Sequence, residues 1–340
     1  MYMNYNEVLK NAKVNLNGSC RVCPVCNGKA CAGEVPGMGG KGTGEAFTAN
    51  VESLKKYKLN MRVLHNANNP DTSIELFGRK MKLPIFAAPV TGTTLNMGGK
   101  FTEQEYISWV IKGCLAAGIY PMVGDTAVDS FLLTNLEELK KADGNGIAII
   151  KPWKNPEVIK KIKKAEETGV FAVGMDIDAA GLITLALHGK PVGPKTLEDI
   201  KEIVQSTKLP FILKGIMTAD EAELAVEAGV SAIVVSNHGG RVLDQTPGVA
   251  DVLPGIAAKV KGKVTILADG GIRNGVDVLK MLALGADAVL IGRPFVSASF
   301  GGQTEGVKTY IDIIADDLKA AMILTGCNSI AEISDRVLFK

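Results

Sequence analysis

The sequence predicts an α/β protein: a (β/α)8 barrel of the TIM type with a Gly- and Cys-rich N-terminal appendage. Three observations carry this prediction. Eight short apolar runs lack polar alternation, amphipathic stretches separate them, and a Gly-bearing tripeptide such as AGI, TGV, AGV or LGA closes a helix just before the next run. A chain of 340 residues that is 46% hydrophobic is long enough to bury one such core. A formal charge of +2 gives no reason to expect nucleic acid or an acidic membrane surface as a partner. There is no uninterrupted apolar run of about 18 residues, the length a membrane span needs. Met1–Lys10 carries Asn, Glu and Lys where a secretory signal is apolar, so a soluble, cytoplasmic protein is expected.

The appendage is assigned to residues 1–60 and the barrel to 61–340. Residues 18–50 hold glycines at 18, 28, 33, 37, 39, 40, 42 and 44, too many for regular structure, and a helix is expected from about Thr48 to Tyr57. Four of the six cysteines, Cys20, Cys23, Cys26 and Cys31, fall within CRVCPVCNGKAC. A chain of this size without a secretory signal needs no disulfide framework, so C-x2-C-x2-C-x4-C reads as a metal or redox cluster. A tight turn aided by Pro24 and Gly28 would aim several thiolates at one centre. The spacing resembles iron–sulfur ligation more than the two separated pairs usual for zinc, with a set of reduced or redox-sensing thiols as the plain alternative. Cys114 and Cys327, in apolar helical contexts, read as small buried hydrophobes.

The eight runs are LPIFAAP (83–89), IYPMVG (119–124), GIAII (146–150), FAVGMD (171–176), PFILK (210–214), SAIVVS (231–236), VTILAD (264–269) and DAVLIG (287–292). Their lack of alternation is that of parallel strands buried on both faces. Between them, TADEAELAVEAG (218–229) has Thr218 placed to cap a helix and Gly229 placed to stop it, and NGVDVLKMLALGA (274–286) spaces Val276, Leu279 and Leu282 by three. A last helix is expected over about Glu305–Thr325.

In such a barrel the residues that follow the strands converge on the active site. Read off in order they are Asp125, Lys151, Asp176, Asp178, Lys214, His238, Arg241, Asp269, Arg273, Gly292 and Arg293. ADGGIRNG after the seventh strand and IGRP after the eighth suit a phosphate cradled by backbone N–H groups, with Arg273 and Arg293 adding charge-assisted bonds. Lys214, at a buried strand end, reads as a Schiff-base nucleophile, as a partner to negative charge on a cofactor, or as half of a salt bridge. Of three histidines, His65 and His188 read as structural. His238 is the one at a strand end, where an acidic residue from the fourth strand would orient it as a general base and Arg241 would hold a substrate carboxylate.

The segment from about Leu209 to Phe295, with SNHGGR, DGGIR and GRP, resembles the FMN-dependent α-hydroxy acid oxidases and dehydrogenases, the group of glycolate oxidase, lactate oxidase and flavocytochrome b2. The likeness continues through LTGCNSIAEI and, more weakly, back to LPIFAAPVTG. The resemblance implies FMN as cofactor, with Lys214 at the flavin N1 and O2 edge and Ser236 and Pro89 also against the flavin. It places Asp269, Gly270, Gly271, Arg273, Gly292 and Arg293 along the ribityl chain and phosphate. It further implies His238 as base, Asp178 as the group that steadies it, Arg241 on the substrate carboxylate, and a homo-oligomer of tetramer size or larger.

The first half departs from that pattern. GEVPGMGG puts Glu34 or a neighbour where the family has a substrate tyrosine, and IIKPW exchanges a flavin-contacting glutamine and a second tyrosine for Ile149 and Lys151. DIDAAGL lacks a second substrate arginine, and the loop after it is cut to roughly 190–195. These losses count against the simplest 2-hydroxy acids, lactate among them. The expectation is an FMN oxidoreductase that oxidises a small anionic substrate, a 2-hydroxy acid by the resemblance, held by Arg241 and Lys151, with His238 as base and Lys214 stabilising the reduced flavin. Its electron acceptor is open, and the cysteines would pass electrons onward in a dehydrogenase. Two other readings are a flavin-dependent isomerase of a diphosphate substrate, like the type 2 isopentenyl diphosphate isomerase, and a flavin and cluster electron-transfer protein.

Overall fold

The structure is a computed structural model that describes residues 4–189 and 192–339. A two-stranded antiparallel hairpin, β1 (Ile74–Leu76) and β2 (Arg79–Met81), precedes the barrel. The barrel strands are β3 (Ile85–Ala87), β4 (Tyr120–Gly124), β5 (Ile147–Ile150), β6 (Ala172–Asp176), β7 (Phe211–Ile216), β8 (Ala232–Val235), β9 (Thr265–Ala268) and β10 (Ala288–Ile291). All eight apolar runs are therefore strands. They pair in parallel in sequence order and β10 closes on β3, so the barrel is complete and has no exposed edge. Ile147, Ala148, Ile149 and Ile150 are fully buried, as expected of strands covered on both faces.

The helices are α1 (Tyr5–Asn15), α2 (Glu45–Lys56), α3 (Thr93–Asn96), α4 (Glu103–Ala117), α5 (Asp129–Lys141), α6 (Asn155–Glu166), α7 (Ile183–Leu187), α8 (Leu197–Gln205), α9 (Ala219–Glu227), α10 (Val249–Val260), α11 (Gly275–Ala283) and α12 (Arg293–Thr325). The expected cap on α9 is present: the Thr218 side chain accepts from the Glu221 N–H, and Gly229 follows in the left-handed region at φ 81°. Among the described residues no helix is long and apolar enough to cross a membrane.

Several boundaries differ from the sequence reading. The appendage helix runs over Glu45–Lys56 rather than from Thr48, because the run of glycines ends at Gly44 and Ala46 and Phe47 are already buried. The segment read as irregular is otherwise so, apart from one 3-10 turn at Lys29–Cys31. The last helix starts at Arg293, twelve residues before the expected Glu305, and is broken at Gln303 (φ 52°, ψ −141°). The break lies beside Gly301, whose missing Cβ leaves room for the Val8 carbonyl of α1. Helix α1 itself was not expected. It buries Val8 and Ala12, stacks Tyr5 on Tyr310 with ring centroids 5.7 Å apart, and donates from Asn15 Nδ2 to the Phe300 carbonyl at 2.7 Å. Of the shortened loop at 190–195, Lys190 and Pro191 lie outside the described residues.

Between β7 and β8 the register shifts at Lys214/Ile216, which places Gly215 (φ 110°) in a bulge. A bulge re-aims the residues around it, here at the mouth of the barrel.

Candidate active site

The carboxyl ends of the strands converge as expected. Pro89, Lys151, Lys214, His238, Arg241, Asp269, Gly270, Gly271, Arg273, Gly292 and Arg293 all line one cavity. Asp178 and Ser236 stand behind that wall and hold the residues in front of them.

His238 follows β8 in the left-handed region at φ 57°, with Gly239 at 61° and Gly240 at 76° after it. A non-glycine residue seldom adopts this conformation, and it turns the imidazole back over the barrel mouth. A Cβ on Gly240 would lie 2.3 Å from the Phe47 nitrogen, so only glycine lets α2 pack on this turn. His238 Nδ1 and Asp178 Oδ1 are 2.9 Å apart. With Nδ1–H donated to that carboxylate, Nε2 keeps its lone pair.

Below the histidine lies a buried polar chain. Ser236 Oγ donates to Asp269 Oδ2 at 2.9 Å and accepts from the His238 N–H at 3.0 Å and from Lys214 Nζ at 3.2 Å. Lys214 Nζ lies 3.4 Å from Asp176 Oδ1 and 3.7 Å from Asp269 Oδ2, and Lys151 Nζ donates to Asp176 Oδ2 at 2.6 Å. Burial alone would push the Lys214 ammonium down, but the surrounding Asp176, Asp178 and Asp269 hold it above the ordinary lysine value. Asp176 resists burial in the same way, kept below the carboxylate range by Lys151 and Lys214, whereas burial carries Asp269 upward. A Schiff-base nucleophile needs a neutral amine, whereas Lys214 stands here in ion pairs with Asp176 and Asp269.

Lys151, read as a substrate ligand, has its charge matched by Asp176, and Ile149 is core rather than cavity wall. Glu34 pairs with Arg21 away from the cavity, and its neighbour Met38 lines the wall instead. Where a second substrate arginine was missing, Leu182 and Thr184 face the cavity.

The three arginines are clasped by the appendage. Arg241 donates through Nη1 to the Gly37 and Gly39 carbonyls (2.6 and 3.0 Å) and through Nη2 to Asn96 Oδ1 (3.0 Å). Arg293 donates to the carbonyls of Met38, Gly239 and Gly39 and lies 3.7 Å over the Phe47 ring. Arg273 donates to the Cys26 carbonyl from Nε and Nη2 (3.3 and 3.1 Å). Burial lowers Arg241 and Arg293 and leaves both charged at neutral pH. Asn96 and Phe47 escaped the sequence reading, since an uncharged amide in a loop and a core-like phenylalanine carry no distinguishing signal.

The four clustered cysteines are all free and partly buried. They line a second cavity, of about 430 Å³, that shares Met38, Phe47, Gly271, Arg273 and Arg293 with the first. No three of their sulfurs lie within 4.8 Å of one another; among the described residues only Asp176, Asp178 and His238 bring three ligand atoms that close. The lysines beside Asp176 already balance that set.

Taken together, the cavity offers a buried ammonium at its floor, and at its other end two guanidiniums and the uncapped N-terminus of α12 behind Gly292. Among the described residues buried Asp269 Oδ1 has no hydrogen-bond partner, leaving an acceptor for a bound donor. This donor set fits a ligand that carries a phosphate and a hydrogen-bond donor. A family model described as FMN-dependent dehydrogenase matches residues 37–185 and 186–340.

The chain belongs to the FMN-dependent dehydrogenase family.

Its relatives extend the assignment. Human 2-hydroxyacid oxidase 1 is 31% identical, over 87% of this chain and 88% of that protein. An L-lactate dehydrogenase of Ectopseudomonas mendocina is 32% identical over 89% and 93%. A crystal structure of mandelate oxidase superposes with a TM-score of 0.81 at 27% identity, covering all of this chain and 98% of that one. This member of the FMN-dependent dehydrogenase family is an oxidoreductase that uses FMN, and the isomerase reading is not favoured by these relatives.

Proposed function

We propose that the protein oxidises a small 2-hydroxy acid, with His238 as the base and Lys214 as the positive charge that would stabilise the reduced flavin. The observation that carries this is the His238 Nδ1–Asp178 Oδ1 contact of 2.9 Å directly above the Ser236–Lys214 pair. Bound FMN supplies the two-electron acceptor. Asp178 fixes the imidazole so that Nε2 faces the cavity side, and takes up part of the charge His238 gains when it removes a proton from the substrate. Lys214 would stabilise the negative charge of the reduced cofactor, while Ser236 and Asp269 keep its ammonium in place. Arg241, held by Asn96 and by two backbone carbonyls, is positioned for the substrate carboxylate without a carboxylate partner of its own among its hydrogen bonds. Arg273 and Arg293 hold the phosphate together with the α12 N-terminus.

The substrate wall is less polar than a clamp of tyrosines and a second arginine would make it, with Met38, Leu182 and Thr184 in view. A 2-hydroxy acid with an apolar side chain larger than the methyl group of lactate suits this wall better. The reading is tested by mixing the FMN-loaded protein anaerobically with a panel of aliphatic and aromatic 2-hydroxy acids and following the flavin absorbance. Bleaching by at least one of them is expected. Its rate should fall roughly 10²–10⁴-fold in His238→Ala with FMN still bound. Failure of every 2-hydroxy acid to bleach the flavin, or an unchanged rate in His238→Ala, would overturn it.

A further inference from the structure

The reaction leaves four cysteines and a cavity unused. The geometry points to an iron–sulfur cluster bound by Cys20, Cys23, Cys26 and Cys31, seated beside the phosphate end of the cofactor site. All four thiols are free and line the same cavity of about 430 Å³, which Leu9, Val51 and Leu54 keep apolar. A mononuclear zinc site brings its sulfurs to about 3.8 Å from one another, from Zn–S bonds of about 2.3 Å in a tetrahedron. No three of these sulfurs fall within even 4.8 Å. A single ion would fill only its own coordination sphere, whereas a polynuclear cluster would occupy more of this cavity. The spacing C-x2-C-x2-C is that of thiolates delivered to one cluster from a tight loop.

The surroundings match the negative charge of such a centre. Arg273 Nη2 lies 3.5 Å from Cys26 Sγ, the Val22 N–H points at Cys20 Sγ at 3.4 Å, and Arg293 borders the same cavity. Hydrogen bonds of this kind to cluster sulfurs are a normal part of iron–sulfur ligation. The same short arm supplies the Cys26 carbonyl to Arg273 and the Met38 and Gly39 carbonyls to Arg293. Cluster occupancy therefore fixes the backbone that positions both phosphate arginines, and cofactor affinity depends on it.

This assignment stands apart from the reaction proposed above and is tested without turnover. The full-length protein, purified anaerobically and reconstituted with ferrous iron and sulfide, is expected to hold about four irons and four sulfides per chain. A broad absorbance beside the flavin bands should bleach with dithionite. Cys23→Ser should lose the iron and bind FMN severalfold more weakly, while Cys114→Ser keeps both. Far-ultraviolet circular dichroism checks that each variant is folded, and the wild-type iron and sulfide count decides the matter should Cys23→Ser fail to fold. One zinc per chain, no iron after reconstitution, or iron fully retained in folded Cys23→Ser would overturn the assignment.

Discussion

Gly215 lies so close to Asp178 that a Cβ built on it would stand 2.6 Å from both Cβ and Cγ of the aspartate. The bulge in β7 thus seats the carboxylate that contacts His238 Nδ1, and its φ of 110° is one that side-chain-bearing residues rarely adopt.

Gly215→Ala is expected to displace Asp178 and slow substrate-dependent flavin reduction by roughly 10²-fold, within the range of lost acid–base catalysis. FMN content should be nearly unchanged. Single-turnover absorbance measurements separate the two, and an unchanged reduction rate would show that the aspartate has no role in orienting the histidine.

Lys151→Met removes one of two cations from Asp176, a carboxylate only 2% exposed, and is expected to cost about 3–5 kcal/mol of stability. Adding Asp176→Asn should recover much of that loss, because no uncompensated charge then remains. Urea denaturation of the two variants and the parent checks both halves.

The Asp176 carboxyl also sets an acid limit. Its pKa is depressed in the folded state, since Lys151 and Lys214 outweigh burial. The resulting stability is fully present above the unfolded value of about 3.9 and is lost as pH falls below it toward the folded value, where only the unfolded chain takes up the proton. Melting temperature is therefore expected to drop below about pH 4, and the drop should be shallower in the Lys151→Met, Asp176→Asn double variant.

Arg293→Lys keeps a charge but cannot span the carbonyls of Met38, Gly39 and Gly239 while stacking on Phe47. Loss of one charge-assisted bond of about 1.5–3 kcal/mol predicts FMN binding roughly 10–150-fold weaker. Titration of the apoprotein by flavin fluorescence measures it.

The barrel was legible because a parallel strand buried on both faces leaves an unbroken apolar run, and each of the eight runs became a strand. PFILK was read as ending at Lys214, yet β7 continues to Ile216, since a bulge at a glycine looks like a strand end in sequence. Charged side chains at strand ends were equally readable, and most face one cavity. What sequence could not convey was their partners. Lys151 looked like a free cation because Asp176 lies on another strand, and Arg241 looked free because its partners at Gly37 and Gly39 are carbonyls, which every residue possesses. Hairpin β1–β2 was missed since each strand has three residues with little burial, and α1 because its apolar face is sparse.

The arginine clasp also has a bearing on how the molecule assembles. Arg273 and its Cys26 partner are separated by 247 positions along the chain, and Arg293 and Met38 by 255. Contacts of such separation form late, after the large loop between them has been organised. On the ribosome, the carbonyls of Cys26 and Met38 must wait for the segments after β9 and β10, respectively, to emerge before they find these guanidiniums. Closure of the arginine clasp is therefore a late event of folding, completed only after the barrel has shut.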